Sequence, residues 1–204
     1  MTAPPRNSRR QALALGGLAL ALHLSGCAVP GRMPEPAADN HTPASFGLEG
    51  RLAVRFGEQS LAGGISWTHS VDRDELGLAS PLGNRLALIV RDSTGVVLTN
   101  AGGEQVRAAD TEGLTERTLG WRLPLSGLTD WVRARAAPVE TAGAADGRRD
   151  AAQRWLRLSQ SGWVIDFSYQ DDAARLPRRL ILGFPAAEKP LEIRLVIDRW
   201  LAPE

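Results

Sequence analysis

Cysteine and lysine occur once each, as Cys27 and Lys189, and histidine only three times. One cysteine cannot form an internal disulfide, so the fold must rest on packing alone, even in an oxidising compartment. His23, His41 and His69 are far apart, and neither a His pair at ligand spacing nor a Cys–His cluster exists. Zinc sites, and Ser or Cys nucleophiles served by a histidine base, are therefore poorly supported, and no metal or cofactor is expected. A Gly-x-x-x-x-Gly-Lys phosphate loop is absent. A marked excess of either charge is also missing. The 24 basic side chains face 23 acidic ones, and setting aside Arg6, Arg9 and Arg10 leaves 21 against 23. Such a balance gives no electrostatic footprint for nucleic acid. Apolar runs are short: the one from Ala12 to Leu24 falls well below the about 20 residues that span a bilayer as a helix.

The N-terminal region nevertheless carries a clear pattern. Three arginines and no acid precede the apolar run, and Leu24-Ser25-Gly26-Cys27 follows it. A positive start, a short apolar segment and small residues before a cut make up a secretory signal. Arg9-Arg10 gives only a faint twin-arginine look, so ordinary secretion is the reading. The four residues ending at Cys27 resemble the bacterial lipobox, in which the cysteine is diacylated and becomes the new N-terminus. The alternative is a free cysteine after a failed anchor. Residues 1–26 are thus expected to be a lipoprotein signal peptide. Residues 27–45, with prolines at 30, 34, 36 and 43, are expected to be the acylated cysteine and an extended tether.

From residue 46 the pattern has a period of two. Leu52, Val54 and Phe56 alternate with Arg51, Ala53 and Arg55. The same holds around Ile65 and Trp67, around Leu76 and Leu78, for Leu86, Leu88 and Val90 against Ala87, Ile89 and Arg91, and around Val96 and Leu98. It returns at Trp163, Ile165, Phe167 and Tyr169, at Leu180 to Phe184, and at Leu191 to Ile197. Alternation puts each apolar set on one sheet face, and the short Gly, Asn, Asp and Pro connectors predict antiparallel neighbours. About ten strands are expected. Between them, Asp110 can cap a short helix with Leu114 and Thr118 on one side, and Ser126 a second helix presenting Leu128, Trp131 and Val132. Residues 138–150 read as an exposed loop. The economical arrangement is a mainly β domain over 46–204: one curved antiparallel sheet, an incomplete barrel, with short helices over an apolar interior. That interior is either an ordinary packed core or a cavity for an apolar ligand. Trp67, Trp163 and Trp200 fit either role. Arg51 reads as a solvated strand arginine, or as one reaching a carboxylate across the barrel or a partner.

Several stretches resemble the LolB family of outer-membrane lipoprotein localisation factors. They are Phe46-Gly-Leu-Glu-Gly-Arg-Leu-Ala-Val54, Gly64-Ile-Ser-Trp67, Leu76-Gly-Leu-Ala-Ser-Pro-Leu-Gly83 and Gly120-Trp-Arg-Leu-Pro-Leu-Ser-Gly-Leu-Thr-Asp-Trp131. Gln160-Ser-Gly-Trp-Val-Ile-Asp-Phe167, Leu176-Pro-Arg-Arg-Leu180 and Leu191-Glu-Ile-Arg-Leu-Val-Ile-Asp-Arg-Trp200 complete the set. The resemblance implies a half-barrel whose apolar cavity, under a helical lid, receives acyl chains. Trp67, Leu128, Trp131, Trp163, Ile165 and Trp200 are the candidate cavity and lid residues. It implies a non-enzymatic receptor that accepts lipoproteins from a LolA-like periplasmic carrier and incorporates them into the outer membrane. It also implies a monomer anchored through Cys27 on the periplasmic face. Ala28 agrees with that location, since Asp there would resemble an inner-membrane retention signal. Leu82, in a turn between Pro81 and Gly83, is by its own sequence either tucked inward or exposed for contact; the resemblance implies the second, because the family's matching leucine protrudes on a loop and is linked to membrane delivery. Relatives place Gly-x-Pro close after the tryptophan matching Trp131, where this chain has Val132-Arg-Ala-Arg-Ala-Ala-Pro138. The competing classes are a lipid-anchored binding protein for another apolar ligand and an anchored hydrolase. The latter lacks a Ser–His–Asp set, because His69 is the one histidine inside the expected domain.

Overall fold

The computed structural model describes residues 45–185 and 189–201. Cys27, Ala28 and the rest of the expected signal and tether up to residue 44 lie outside the described residues. Among the described residues, eleven strands form one antiparallel sheet: β1 (Phe46–Phe56), β2 (Gln59–His69), β3 (Asp74–Ala79), β4 (Arg85–Asp92), β5 (Gly95–Asn100), β6 (Gln105–Ala108), β7 (Asp146–Arg149), β8 (Trp155–Gln160), β9 (Trp163–Ser168), β10 (Arg179–Phe184) and β11 (Leu191–Leu201). Their order is β6-β5-β4-β3-β2-β1-β11-β10-β9-β8-β7, so β1 and β11 pair at the centre. The inner face follows the sequence alternation in most strands: Leu52 and Val54, Ile65 and Trp67, Leu76 and Leu78, Ile165 and Phe167, Leu180 and Leu182, and Leu191, Ile193, Leu195 and Ile197 are all buried. In β4 the phase is the reverse of the expected one: Ala87 and Ile89 are buried while Leu86, Leu88 and Val90 are half-buried, because apolar residues occupy both phases of that strand and the period alone does not choose between them. Tight turns hold the register. Asp92 accepts from the Thr94 N–H at 2.8 Å, and Ser161-Gly162 joins β8 to β9 with both φ positive, at 53° and 78°.

Three strands lie where the alternation is silent. β6 and β7 are the sheet edges, mostly exposed, so no apolar face marks them. β7 and the four-residue helix α3 (Val139–Ala142) occupy the stretch read as a loop; its exposure was right and its lack of structure was not. In β8, Trp155 and Leu158 are both buried although three residues apart, next to a register shift against β7. A bulge of this kind breaks the period of two.

The helical stretch differs from expectation in its details. Helix α1 (Thr111–Leu119) is capped by Asp110, whose carboxylate accepts from the Gly113 N–H at 2.7 Å. Its buried face is Thr111, Leu114 and Thr115, whereas Thr118 is exposed. Helix α2 (Leu125–Trp131) starts after Pro124, not at Ser126, because Pro suits a helix start and needs no N–H partner. Ser126 instead donates to the Glu112 carboxylate at 2.7 Å, tying α2 to α1. After Trp131 the chain turns with the Arg135 N–H on the Asp130 carbonyl and the Ala134 N–H on the Trp131 carbonyl. This pattern demands a left-handed residue, and Ala134 supplies it at φ 55° where glycine would be unstrained.

Helix α1 packs on β5 and β6, and α2 on α1. Trp131 of α2 meets β8 and β9 near the other sheet edge. A flat sheet would separate those strands by roughly 40 Å, at about 4.8 Å per strand. Both edges reach adjacent helices only because the sheet curls around them. Leu114, Leu123, Leu125, Leu128, Trp131 and Val132 therefore join the inward strand residues in one core. The result is an open half-barrel, not a closed one.

Candidate functional site

Helix α2 packs within the curl of the half-barrel. Its Leu128 and Trp131, and Val132 directly after it, stand at i, i+3 and i+4 and are all buried. The Trp131 ring folds back over Gly127, where a Cβ would meet it at 2.5 Å, so glycine is required there. Trp131 lies 6.4 Å from Trp163 of β9, which lies 5.0 Å from Phe184 of β10, centroid to centroid. Beside these rings is a cleft of about 190 Å³, lined by Gly127, Trp131, Ala142, Trp163 and Phe184 and also by the charged Glu112 and Arg122. Its volume is below the about 300–1,000 Å³ of a typical ligand pocket. A larger groove, about 640 Å³, lies on the outer sheet face, but Glu49, Glu75, Arg85, Asp198 and Arg199 line it. Charges there make it unsuited to an alkyl chain.

Two of the sequence-nominated tryptophans share a feature that the sequence reading missed. Trp131 Nε1 donates to Gln160 Oε1 at 3.0 Å, and Trp67 Nε1 donates to Asp74 Oδ1 at 2.8 Å. Both acceptors are buried polar side chains at strand ends, not backbone carbonyls. Asp74 also bonds His69 Nδ1 at 2.8 Å and Arg91 Nε at 2.8 Å. Trp67 then packs edge-on to Phe46 at 4.9 Å, and Phe46 meets Trp200 at 5.7 Å. Trp67 and Trp200 thus belong to one aromatic group with Phe46, and Trp131 and Trp163 to another beside the cleft. Ile165 is wholly buried on β9.

Burial alone would raise the Asp74 pKa. The His69 bond, the Arg91 charge and the Trp67 bond outweigh it and hold the carboxyl below its ordinary 3.8. A depressed folded pKa gives stability that is present above the unfolded value and lost as pH falls through the lower folded value. The melting temperature should therefore drop below about pH 4 more steeply in the wild type than in Asp74→Asn. Melting curves at successive pH values check this, and parallel slopes would contradict it.

At one end of β3 the chain turns through Ser80, Pro81, Leu82 and Gly83. The Gly83 N–H donates to the Ser80 carbonyl at 2.9 Å, and Gly83 takes φ 85°. Pro81 fits the second position of this turn and Gly83 the left-handed position after it. Leu82 is left at the tip, 88% exposed. Arg51 sits on the outer face, paired with Asp198 at 3.0 Å and 67% exposed, so it does not reach across the barrel interior.

An open antiparallel half-barrel, filled by short helices and bearing a leucine-tipped turn, defines the class of protein. Residues 44–200 match the family model described as outer membrane lipoprotein LolB. The chain is 40% identical to the outer-membrane lipoprotein LolB of Thiobacillus denitrificans, over 89% of this chain and 93% of that protein. It is 36% identical to the LolB of Chromobacterium violaceum, over 90% and 96%, and 36% to that of Azoarcus sp., over 96% and 97%. The chain belongs to the LolB family of outer-membrane lipoproteins. That family serves lipoprotein localisation at the outer membrane and is not a family of enzymes.

Proposed function

We propose that the protein accepts acylated lipoproteins from a LolA-like periplasmic carrier, admits their acyl chains beneath α2, and passes them to the outer membrane near Leu82. It works as a monomer, held on the periplasmic face by acylation of Cys27 through the tether of residues 27–45. Residues 46–204 act as the receptor domain. The observation that carries this reading is the cleft flanked by Trp131, Trp163 and Phe184 at the mouth of an apolar half-barrel. Trp67, Leu128, Ile165 and Trp200 supply apolar surface further inside, which becomes accessible when α2 lifts.

Physical chemistry explains the need. Each exposed CH₂ costs about 0.8 kcal/mol, so a multiply acylated protein does not cross water freely. Passing chains from cavity to cavity avoids that exposure and needs no nucleotide, provided the acceptor binds them better than the carrier does.

Radiolabelled palmitate is expected to enter the full-length protein and to be absent from Cys27→Ala. The unanchored variant, mixed with carrier-bound lipoprotein, is expected to take the cargo and co-purify with it. Label retained in the variant would refute the anchor. Cargo that stays with the carrier would refute acceptance by the half-barrel.

A further inference from the structure

One buried amide ties the chain after α2 to the sheet. Gln160 ends β8 and is 2% exposed. Its Oε1 accepts from Trp131 Nε1 at 3.0 Å and from the Ala137 N–H at 2.9 Å. Its Nε2 donates to the carbonyls of Ala137 at 2.8 Å and Gly143 at 2.9 Å. A primary amide has two acceptor sites and two N–H donors, so its whole capacity is spent on residues 131–143. The tight Ser161-Gly162 turn fixes Gln160 opposite Trp163. Ser161 adds a hydrogen bond to the Ala142 carbonyl at 2.8 Å.

The stretch held down is weakly built by itself. Ala134 sits in a left-handed conformation at φ 55°. Helix α3 has four residues, no side-chain cap and no buried member. The cleft lies directly against this attachment, since Trp131, Ala142 and Ser161 line it.

We propose that Gln160 is the latch of the lid: it holds α2 and residues 137–143 over the cleft, and its release admits the acyl chains. This rests on the reading of the cleft as the acyl entrance. Partial opening would strand buried donors and acceptors without partners, which is costly, whereas full opening returns all of them to water. The lid therefore has two states, closed and open, and the latch sets their ratio. A guest that binds only the open state is taken up in proportion to the open population. Gln160 is a positioning residue acting through Trp131 and Ala137.

Gln160→Met keeps much of the side-chain length and removes the amide. The full-length protein, held in phosphatidylethanolamine–phosphatidylglycerol vesicles, is followed by amide hydrogen exchange and by uptake of a fluorescent tripalmitoylated peptide. Exchange across residues 131–143 is expected to rise about tenfold or more, with exchange in β4 and β10 unchanged and uptake faster by a similar factor. Three results would overturn the latch: unchanged exchange in 131–143, exchange rising equally in β4 and β10 as general destabilisation would cause, or uptake that is unchanged or slower. If neither wild type nor variant takes up the peptide, the acyl reading falls and the gating role with it, even where exchange shows the stretch released.

Discussion

Leu82→Glu should fold and accept cargo like the wild type but deliver it to membranes about ten- to a hundredfold less well. Leu82 is 88% exposed, and its turn is held by Ser80, Pro81 and Gly83 rather than by its own side chain. Surface substitutions of this kind change stability by about 0.5 kcal/mol or less. Burying a leucine in an apolar phase is worth about 1.5–3 kcal/mol, which sets the size of the loss. That energy biases contact with a bilayer without anchoring the protein. Melting temperature, acceptance from the carrier and release into liposomes are measured together. A variant that melts markedly lower, or that delivers at the wild-type rate, would remove Leu82 from membrane contact.

Trp131→Asp is expected to cause the largest loss of stability among the lid residues, together with a loss of acceptance. The Trp131 side chain is 1% exposed and packs beside Trp163 while bonded to Gln160. Truncating a buried aromatic costs about 3–5 kcal/mol, and an unpaired buried carboxylate adds to it. For a domain of this size, each kcal/mol lowers the melting temperature by about 2–4 °C, so a drop of roughly 6–20 °C is expected. Trp131→Phe keeps a ring and loses only the N–H bond, so its melting temperature should fall between those of the wild type and Trp131→Asp. Thermal melts with an acceptance assay on each variant decide the matter. A wild-type melting temperature in Trp131→Asp would mean that α2 does not seal the mouth.

Much of this architecture was legible because alternating residues report a sheet face directly. Leu76 and Leu78, or Ile165 and Phe167, can be assigned to the interior without coordinates. The same rule, applied to polar residues, would have found the two groups that were missed. Asp74 stands two residues before Leu76, and Gln160 two residues after Leu158, so both continue the inward register. A polar side chain in an apolar register must find a buried partner, and each found an indole N–H. Other features were not readable in this way. The bulge in β8 changes which residues share a face, and the edges β6 and β7 bury too little to leave a pattern. Ser126 looks like a helix cap in isolation, yet its hydroxyl serves Glu112 on another helix. That contact depends on how α1 and α2 meet, which no local window contains. The exposure of Leu82 was undecided from its own sequence, since an apolar turn residue is either tucked in or displayed. The proline and glycine on either side settle the turn, and the turn settles the display.

The claim that acyl chains enter under α2 is tested most directly by photocrosslinking. A lipoprotein whose acyl chains carry diazirine groups is loaded on the carrier and mixed with the full-length protein. It is then irradiated, and the attachment sites are located by mass spectrometry. The predicted adducts fall on inward residues around the mouth, namely Leu128, Trp131, Trp163, Ile165 and Phe184. They should depend on the presence of the loaded carrier. Adducts confined to the outer sheet face, or none on the half-barrel while the lipoprotein still reaches the membrane, would contradict the account.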